Sequence, residues 1–503
     1  MLKYISFISM LLLAYIGTNA QLKPAYVFTD NMVVQRNMPV CIYGKGTPQK
    51  RVEGSFNHLK QSALIKGDSS WAVYFPQQSA SNSPQSLFIT CEKERIKFDN
   101  ILIGDVWLCL GQSNMEFTMS REVHFKEEVN NTCQPLIRLY NASFAGKYIY
   151  TTEYNDSIRH RLNVNDFYSG RWENCDSTTI RPMSAVAYYF AKSIITKENI
   201  PIGLINLSIG GAPVETFIDK EALLQDTLFA LKVSGNWLNN NNLPKWIRQR
   251  GKENLGSRKD GFGDASGLNH AYKPGFAFEC GIKPVTSFPI KGIIFYQGES
   301  NSLEYERVKE YRPLLHLMIN DYRKKWKQPD LPFYWIQLSS IDTARYAAQY
   351  WPLFRDEQRK LLDEVSNGGM AVCSDIGSKY DVHPTNKKEV GQRLAQWALQ
   401  QVYKENVIPS GPLPLHAKYR NGKVMISFKY LAEGLRTSDG KALRGFSIDG
   451  NNKMSAMIYH KKIVLLHVSK KPEFVYYAWE SFTNANLINT ASLPASTFKI
   501  KVE

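Results

Sequence analysis

Apolar positions fall along this chain in three different rhythms. The first is a short continuous run from about Ile5 to Ile16. It follows the positively charged Met1-Leu2-Lys3 and ends at the small-residue triplet Thr18-Asn19-Ala20. That order predicts a secretory signal peptide over residues 1–20, with Gln21 as the first mature residue. A membrane anchor fits less well, because a span needs roughly 20 apolar residues. The second rhythm covers residues 21–100. Val33-Val34, Val40–Tyr43, Trp71–Phe75 and Leu87–Ile89 are β-prone and separated by Gly, Pro, Asn and Ser, which predicts a small β-sandwich.

The third rhythm covers residues 101–404. Ile103–Leu110, Ile200–Leu207, Lys291–Tyr296, Phe333–Leu338 and Met370–Cys373 are largely apolar runs, as in strands covered on both faces of a parallel sheet. Helical spacing lies between and after them. Val308, Tyr311, Leu315, Met318 and Tyr322 share one face, and Val390, Leu394 and Trp397 follow an Asn386…Glu389 pair resembling a capping box. Alternation of this kind predicts a three-layer α/β domain. Two polar, poorly periodic stretches near 116–181 and 217–288 are expected to be inserts forming lids or binding walls. Turn-rich β patterning returns over 405–503 and predicts a second small β domain.

Composition narrows the class. The 503 residues are 43% hydrophobic and 21% charged, which fits a soluble globular chain of two to four domains. The net charge of +16 comes from scattered Lys and Arg with no long basic block, so nucleic-acid binding is not expected. No segment beyond the first is long and apolar enough to span a membrane. Seven cysteines, at 41, 91, 109, 133, 175, 280 and 373, show neither CxxC pairs nor zinc-type clustering. Cys109 and Cys373 sit in apolar runs and read as buried structural thiols. No metal site and no cofactor are expected.

Polar loops containing Gly follow four of the strands. They are Gly111–Met115, Ser208–Ala212, Gln297–Asn301, and Asp375–Gly377 continuing to Asp381-Val382-His383-Pro384. In open α/β sheets, ligands bind at the carboxyl ends of strands, where these loops converge. A serine hydroxyl needs an adjacent base to become nucleophilic, and Ser113 lies where a sharp turn would expose it. His383 is the candidate base, since imidazole titrates near ~6.5. Asp381, or Asp375 in the same loop, could orient that imidazole. Gly210, Gly211 and the Gln297 amide, with the Ser113 N–H, are candidate donors to an oxyanion. Asn114, Glu299, Asn301 and Glu116 either hold these loops together or touch substrate; a structural role is favoured for Glu299 and Glu116.

Together these segments resemble the sialate O-acetylesterase family of SGNH hydrolases. The match is close at Val106–Glu116, at Tyr296–Asn301 and at Asp381–Pro384, and weaker similarity runs from Phe28–Arg36 to Leu493–Ser496. The resemblance implies a flavodoxin-like SGNH fold, with Ser113 as nucleophile, His383 as base, and an oxyanion hole from the Gly210-Gly211 block and Gln297. It implies metal-free removal of acetyl groups from sugar hydroxyls. Ile209 stands where relatives carry Trp, which alters the pocket wall. Acetylated sialic acids and acetylated plant polysaccharides such as xylan are both compatible substrates. A catalytically silent carbohydrate-binding protein is the alternative from another class.

Overall fold

The computed structural model describes residues 21–503 apart from Thr132, Arg258, Lys259 and Arg345. The expected signal peptide lies outside the described residues. Each of the five expected strands forms. Glu94–Gly111, Ile202–Asn206, Gly292–Tyr296, Phe333–Ile336 and Gly368–Ala371 lie side by side in parallel. The sheet continues through Ile137–Asn141, parallel to Ile202–Asn206, and ends with antiparallel Trp172–Asn174. These last two strands come from the stretch near 116–181 that lacked clear periodicity. Ile137, Leu139 and Tyr140 are all buried, but Arg138 interrupts the run; its guanidinium donates to the Pro135 carbonyl.

The strand Glu94–Gly111 is 18 residues long and serves two regions. Its first half pairs antiparallel with Ser81–Cys91. Val33–Gln35 lies parallel to Leu102–Gly104, and the second half enters the central sheet. The expected boundary at residues 100 and 101 therefore falls inside one strand, and the described residues form an eleven-stranded mixed sheet across it. From Ile101 every residue of that strand is buried. Such a run carries no turn signal to mark where one neighbour set gives way to the next.

Ala185–Glu198 and Lys388–Gln401 pack closely, and a Cβ at Gly391 would sit 2.6 Å from the Val186 carbonyl oxygen. Ser184 caps the first helix, its Oγ accepting from the Ala187 N–H at 3.2 Å. Tyr305–Lys325 packs on Trp351–Lys360, with the Tyr311 and Phe354 rings 4.3 Å apart between centroids. One apolar core runs from the N-terminal β region through the central sheet. The stretch near 217–288 adds the helix Lys245–Leu255 and a π-helical turn at Phe278–Ile282.

A second core, including Val424, Ile426, Phe446, Tyr477 and Phe498, belongs to the C-terminal β region. Lys423–Lys429 alternates buried and more exposed positions, as a half-covered strand should. This region is fastened to the central one by polar contacts. Buried Arg355 donates to the carbonyls of Ala478 and Glu480, and the Lys499 N–H donates to Asp356 Oδ1 at 3.2 Å. Cys109 and Cys373 are buried, and burial pushes the Cys373 thiol up to about 12. No helix among the described residues is long and apolar enough to cross a membrane.

Candidate active site

Gly111 ends the long strand with φ +136°, and a Cβ there would sit 2.1 Å from the Tyr296 carbonyl oxygen. Only glycine tolerates that turn against a neighbouring backbone. The turn lets the Gln112 N–H reach the same carbonyl at 2.9 Å and starts the short helix Ser113–Glu116. Gln112 Oε1 then accepts from Gln297 Nε2 at 3.2 Å, the Gly298 N–H at 3.3 Å and the Ser300 N–H at 3.2 Å. One side chain thus stitches the serine loop to the Gln297–Asn301 loop.

His383 is brought from the last strand's loop, 270 positions away in sequence, to Ser113. Its Nε2 lies 2.8 Å from Ser113 Oγ. Gly377 passes so close to Ser340 that a Cβ would lie 2.2 Å from its carbonyl oxygen, which fixes the loop's start. The loop's end enters the helix Lys388–Gln401 through the expected pair. Asn386 Nδ2 donates to Glu389 Oε1 at 3.0 Å, and the Glu389 N–H donates back to Asn386 Oδ1 at 3.3 Å.

The two candidate acids separate. Asp381 Oδ1 accepts from the His383 N–H at 2.8 Å and stands 3.3 Å from its Nδ1. Asp375 is held instead by Arg393, with oxygen–nitrogen distances of 2.6 and 2.7 Å. Burial pushes the His383 imidazole below its ordinary value. Asp381 pulls it back up, while the cations Lys387 and Arg121 press it down. The ring is therefore neutral at neutral pH and able to accept a proton.

The glycine pair lies beside this couple. Gly211 has φ +73°, and a Cβ there would stand 2.4 Å from the Tyr272 hydroxyl. Tyr272 donates to the Gly210 carbonyl at 2.8 Å, and Ser300 Oγ donates to the Gly211 carbonyl at 2.9 Å. Gly210 lies against the Glu116 carboxylate, where a Cβ would sit 2.7 Å from Oε2. Burial raises that carboxyl's pKa, while Lys147 at 3.2 Å works against the rise. The Gln297 amide is turned into the scaffold: Nε2 donates to Gln112 Oε1, to the Ala212 carbonyl at 3.3 Å and to Asn301 Oδ1 at 2.7 Å.

Asn114, Glu299 and Asn301 are each only 1% exposed. The structure places them in loop-to-loop bonds rather than on a surface open to a sugar. Asn301 joins Gln297 to the Val214 N–H at 3.1 Å and to Glu215 Oε2 at 3.0 Å, and Glu215 is paired in turn with buried Lys232 at 3.1 Å. Asn114 bonds Glu299 Oε1, the Val382 carbonyl and Lys387 Nζ. Sequence reasoning missed Lys387, Lys232 and Arg393. Lys387 stands next to Lys388 in a run that reads as an ordinary solvated helix start, and nothing in the pattern marks it as buried.

With this geometry in place, comparison with known proteins adds three findings. Residues 281–400 match the family model described as a carbohydrate esterase, sialic acid-specific acetylesterase. The sialate O-acetylesterases of Pongo abelii and Homo sapiens are each 25% identical, covering 81% of this chain and 76% of theirs. A crystal structure of a carbohydrate acetylesterase from Xanthomonas citri aligns with TM-score 0.77 and 25% identity, over 95% of this chain and 99% of that one. The resemblance to the sialate O-acetylesterase family carried by the motifs around Ser113, Gln297 and His383 is thus supported along most of the chain.

Proposed function

We propose that this protein is a carboxylic ester hydrolase that removes O-acetyl groups from sugars, with acetylated sialic acid as the leading substrate. The observation that carries the chemistry is the 2.8 Å contact between Ser113 Oγ and His383 Nε2. The similarity to sialate O-acetylesterases supports the substrate class. In this reading the parallel strands and their helices form the central layers of a flavodoxin-like SGNH domain, flanked by the two β regions. The signal peptide read over residues 1–20 would send the chain out of the cytoplasm.

Ser113 Oγ attacks the acetyl carbonyl as His383 Nε2 takes its proton. The tetrahedral intermediate collapses, and the sugar oxygen leaves with the proton returned by His383. Water then attacks the acetyl-enzyme, its proton passing to His383. Acetate departs as Ser113 regains a proton. Asp381 faces Nδ1 and stabilises the imidazolium formed in each half. Because the Gln297 amide is engaged elsewhere, the oxyanion donors of this proposal are the backbone N–H groups of Ser113 and of the Gly210-Gly211 pair.

The test is acetate release by wild type and Ser113→Ala, from O-acetylated sialic acid and from acetylated xylan side by side. Release from the sialic acid that disappears in the variant is expected. Release from xylan alone would move the substrate to plant polysaccharides. No release from either, or from a short synthetic acetyl ester, would leave a carbohydrate-binding protein.

A further inference from the structure

Asn114 directly follows Ser113, and Val382 directly precedes His383. Asn114 Nδ2 donates to the Val382 carbonyl at 2.9 Å, and its Oδ1 accepts from Lys387 Nζ at 2.5 Å. One amide therefore grips the histidine loop on both sides of His383. The second Nδ2 hydrogen goes to Glu299 Oε1, so the amide's two donor hydrogens are both used. Its orientation follows from chemistry alone. The Val382 carbonyl can only accept and must face the nitrogen, which leaves the amide oxygen facing Lys387 Nζ.

Lys387 is an expensive way to fill this space. It is fully buried and lies over the faces of Phe117 and Tyr296, at 4.9 and 5.5 Å from their centroids. An apolar side chain of similar length would fit between those rings without desolvating a cation. What the ammonium adds is a donor aimed at Asn114 Oδ1. Burial drives Lys387 well below the usual lysine range and pushes Glu299 well above the usual carboxylate range. Glu299 Oε2 has no hydrogen-bond partner among the described residues. Both groups carry a cost that a purely space-filling role would not require. The backbone around Lys387 is also anchored, its N–H donating to Thr385 O at 3.1 Å and Glu122 Oε1 at 3.2 Å.

We propose that Asn114 is a positioning residue that sets the distance between Ser113 and His383, with Lys387 and Glu299 fixing which way its amide faces. The inference rests on Ser113 and His383 being the nucleophile and the base. Asn114 touches neither reacting atom. It ties the residue after one to the residue before the other, so the 2.8 Å contact is held by covalent neighbours on both sides. Loss of the tie frees the Val382 carbonyl and lets the imidazole drift. A displacement of about 1 Å is enough to cost roughly 100-fold in rate.

The test is steady-state kinetics of Asn114→Ala, Lys387→Met and Ser113→Ala on a small acetyl ester, with thermal melts to verify folding. Asn114→Ala is expected to lose about 100-fold in kcat while KM stays within about twofold, the mark of a defect confined to the chemical step. Lys387→Met is expected to lower kcat and also to move the acid limb of kcat/KM to higher pH, because the ammonium helps hold the His383 imidazole down. The limb reports the ammonium's charge beside His383, and the kcat loss reports the tie through Asn114. Should Asn114→Ala not fold, Asn114→Asp keeps the size and an acceptor but deletes the donor to Val382, and the same kcat loss is expected. Wild-type kcat in a folded Asn114 variant, or a wild-type kcat and an unmoved acid limb in Lys387→Met, with Ser113→Ala inactive, would overturn this inference alone. Full turnover by Ser113→Ala would overturn the nucleophile assignment beneath it.

Discussion

Asp381 meets His383 at two atoms: its Oδ1 accepts the His383 backbone N–H at 2.8 Å and stands 3.3 Å from the ring Nδ1. The carboxylate therefore shapes the loop and faces the imidazole with the same oxygen. Its side chain is 57% exposed, so water already screens it. Asp381→Asn should lower kcat by about 10–100-fold, well short of the ~10⁴-fold cost found where such an aspartate is buried. Asp375→Asn breaks the Arg393 pair instead and should act mainly on thermal stability. Kinetics and melts of the two variants together check the assignment, and a larger kcat loss in Asp375→Asn would reverse it.

The pH–rate profile carries a signed expectation. With His383 as the proposed base, catalysis needs its neutral form, so kcat/KM falls as pH drops through its pKa. Burial places that pKa below the ordinary histidine value of ~6.5, and the acid limb should lie there too. Activity should persist into mildly acidic buffer. Initial rates between about pH 4.5 and 8 would show it; a limb above neutrality would contradict it.

Gly211 has no room for a side chain. Its φ of +73° and the 2.4 Å approach of Tyr272 mean that Gly211→Ala strains the backbone and displaces the tyrosine. A stability loss of about 1–3 kcal/mol is expected in urea titration. A kcat loss beyond what that explains would mark the Gly211 N–H as an oxyanion donor.

Glu215 and Lys232 form a buried pair whose integrity supports the Asn301 anchor. Burial alone would raise the Glu215 pKa, but Lys232 and Asn301 outweigh it and hold the group below its ordinary value. A carboxyl depressed in the folded state contributes stability that is present above the unfolded pKa and lost as pH falls through the folded one. Lys232→Met should cost about 3–5 kcal/mol by stranding the carboxylate. The acid dependence of the urea midpoint should weaken in the same variant, and an unchanged midpoint would show the pair to be dispensable.

Much of the catalytic region is legible from residue patterns because its strands are covered on both faces. Val106–Leu110 and Ile293–Tyr296 are unbroken apolar runs in the chain and buried strands in the fold. The Ser113–His383 meeting is legible for a related reason, since loops after parallel strands share one edge of a sheet. Ile137–Asn141 was hidden by Arg138, whose buried guanidinium donates to the nearby carbonyls of Pro135 and Ile137. The Gln297 amide could not be placed from its motif, because its orientation also depends on Gln112 and the Ala212 carbonyl, which reach it from distant parts of the chain. Lys387 was unreadable for the opposite reason. Its neighbour Lys388 has the same side chain and a different environment, and the packing of Phe117 and Tyr296 with the bond to Asn114 distinguishes them.

The strand Glu94–Gly111 has a consequence for how the chain can be cut or recombined. Its N-terminal half is zipped to Ser81–Cys91, and its last residue directly precedes Gln112-Ser113. The N-terminal β region is therefore no detachable cassette. Any graft that exchanges it must splice within a buried hydrogen-bonded strand, and an offset of one residue there would turn every side chain to the opposite face up to Ser113. Registry established in one region is passed along this single ribbon to the other, so chimeras between relatives should tolerate junctions in the surface turns before Ser81 far better than junctions between Ile101 and Gly111.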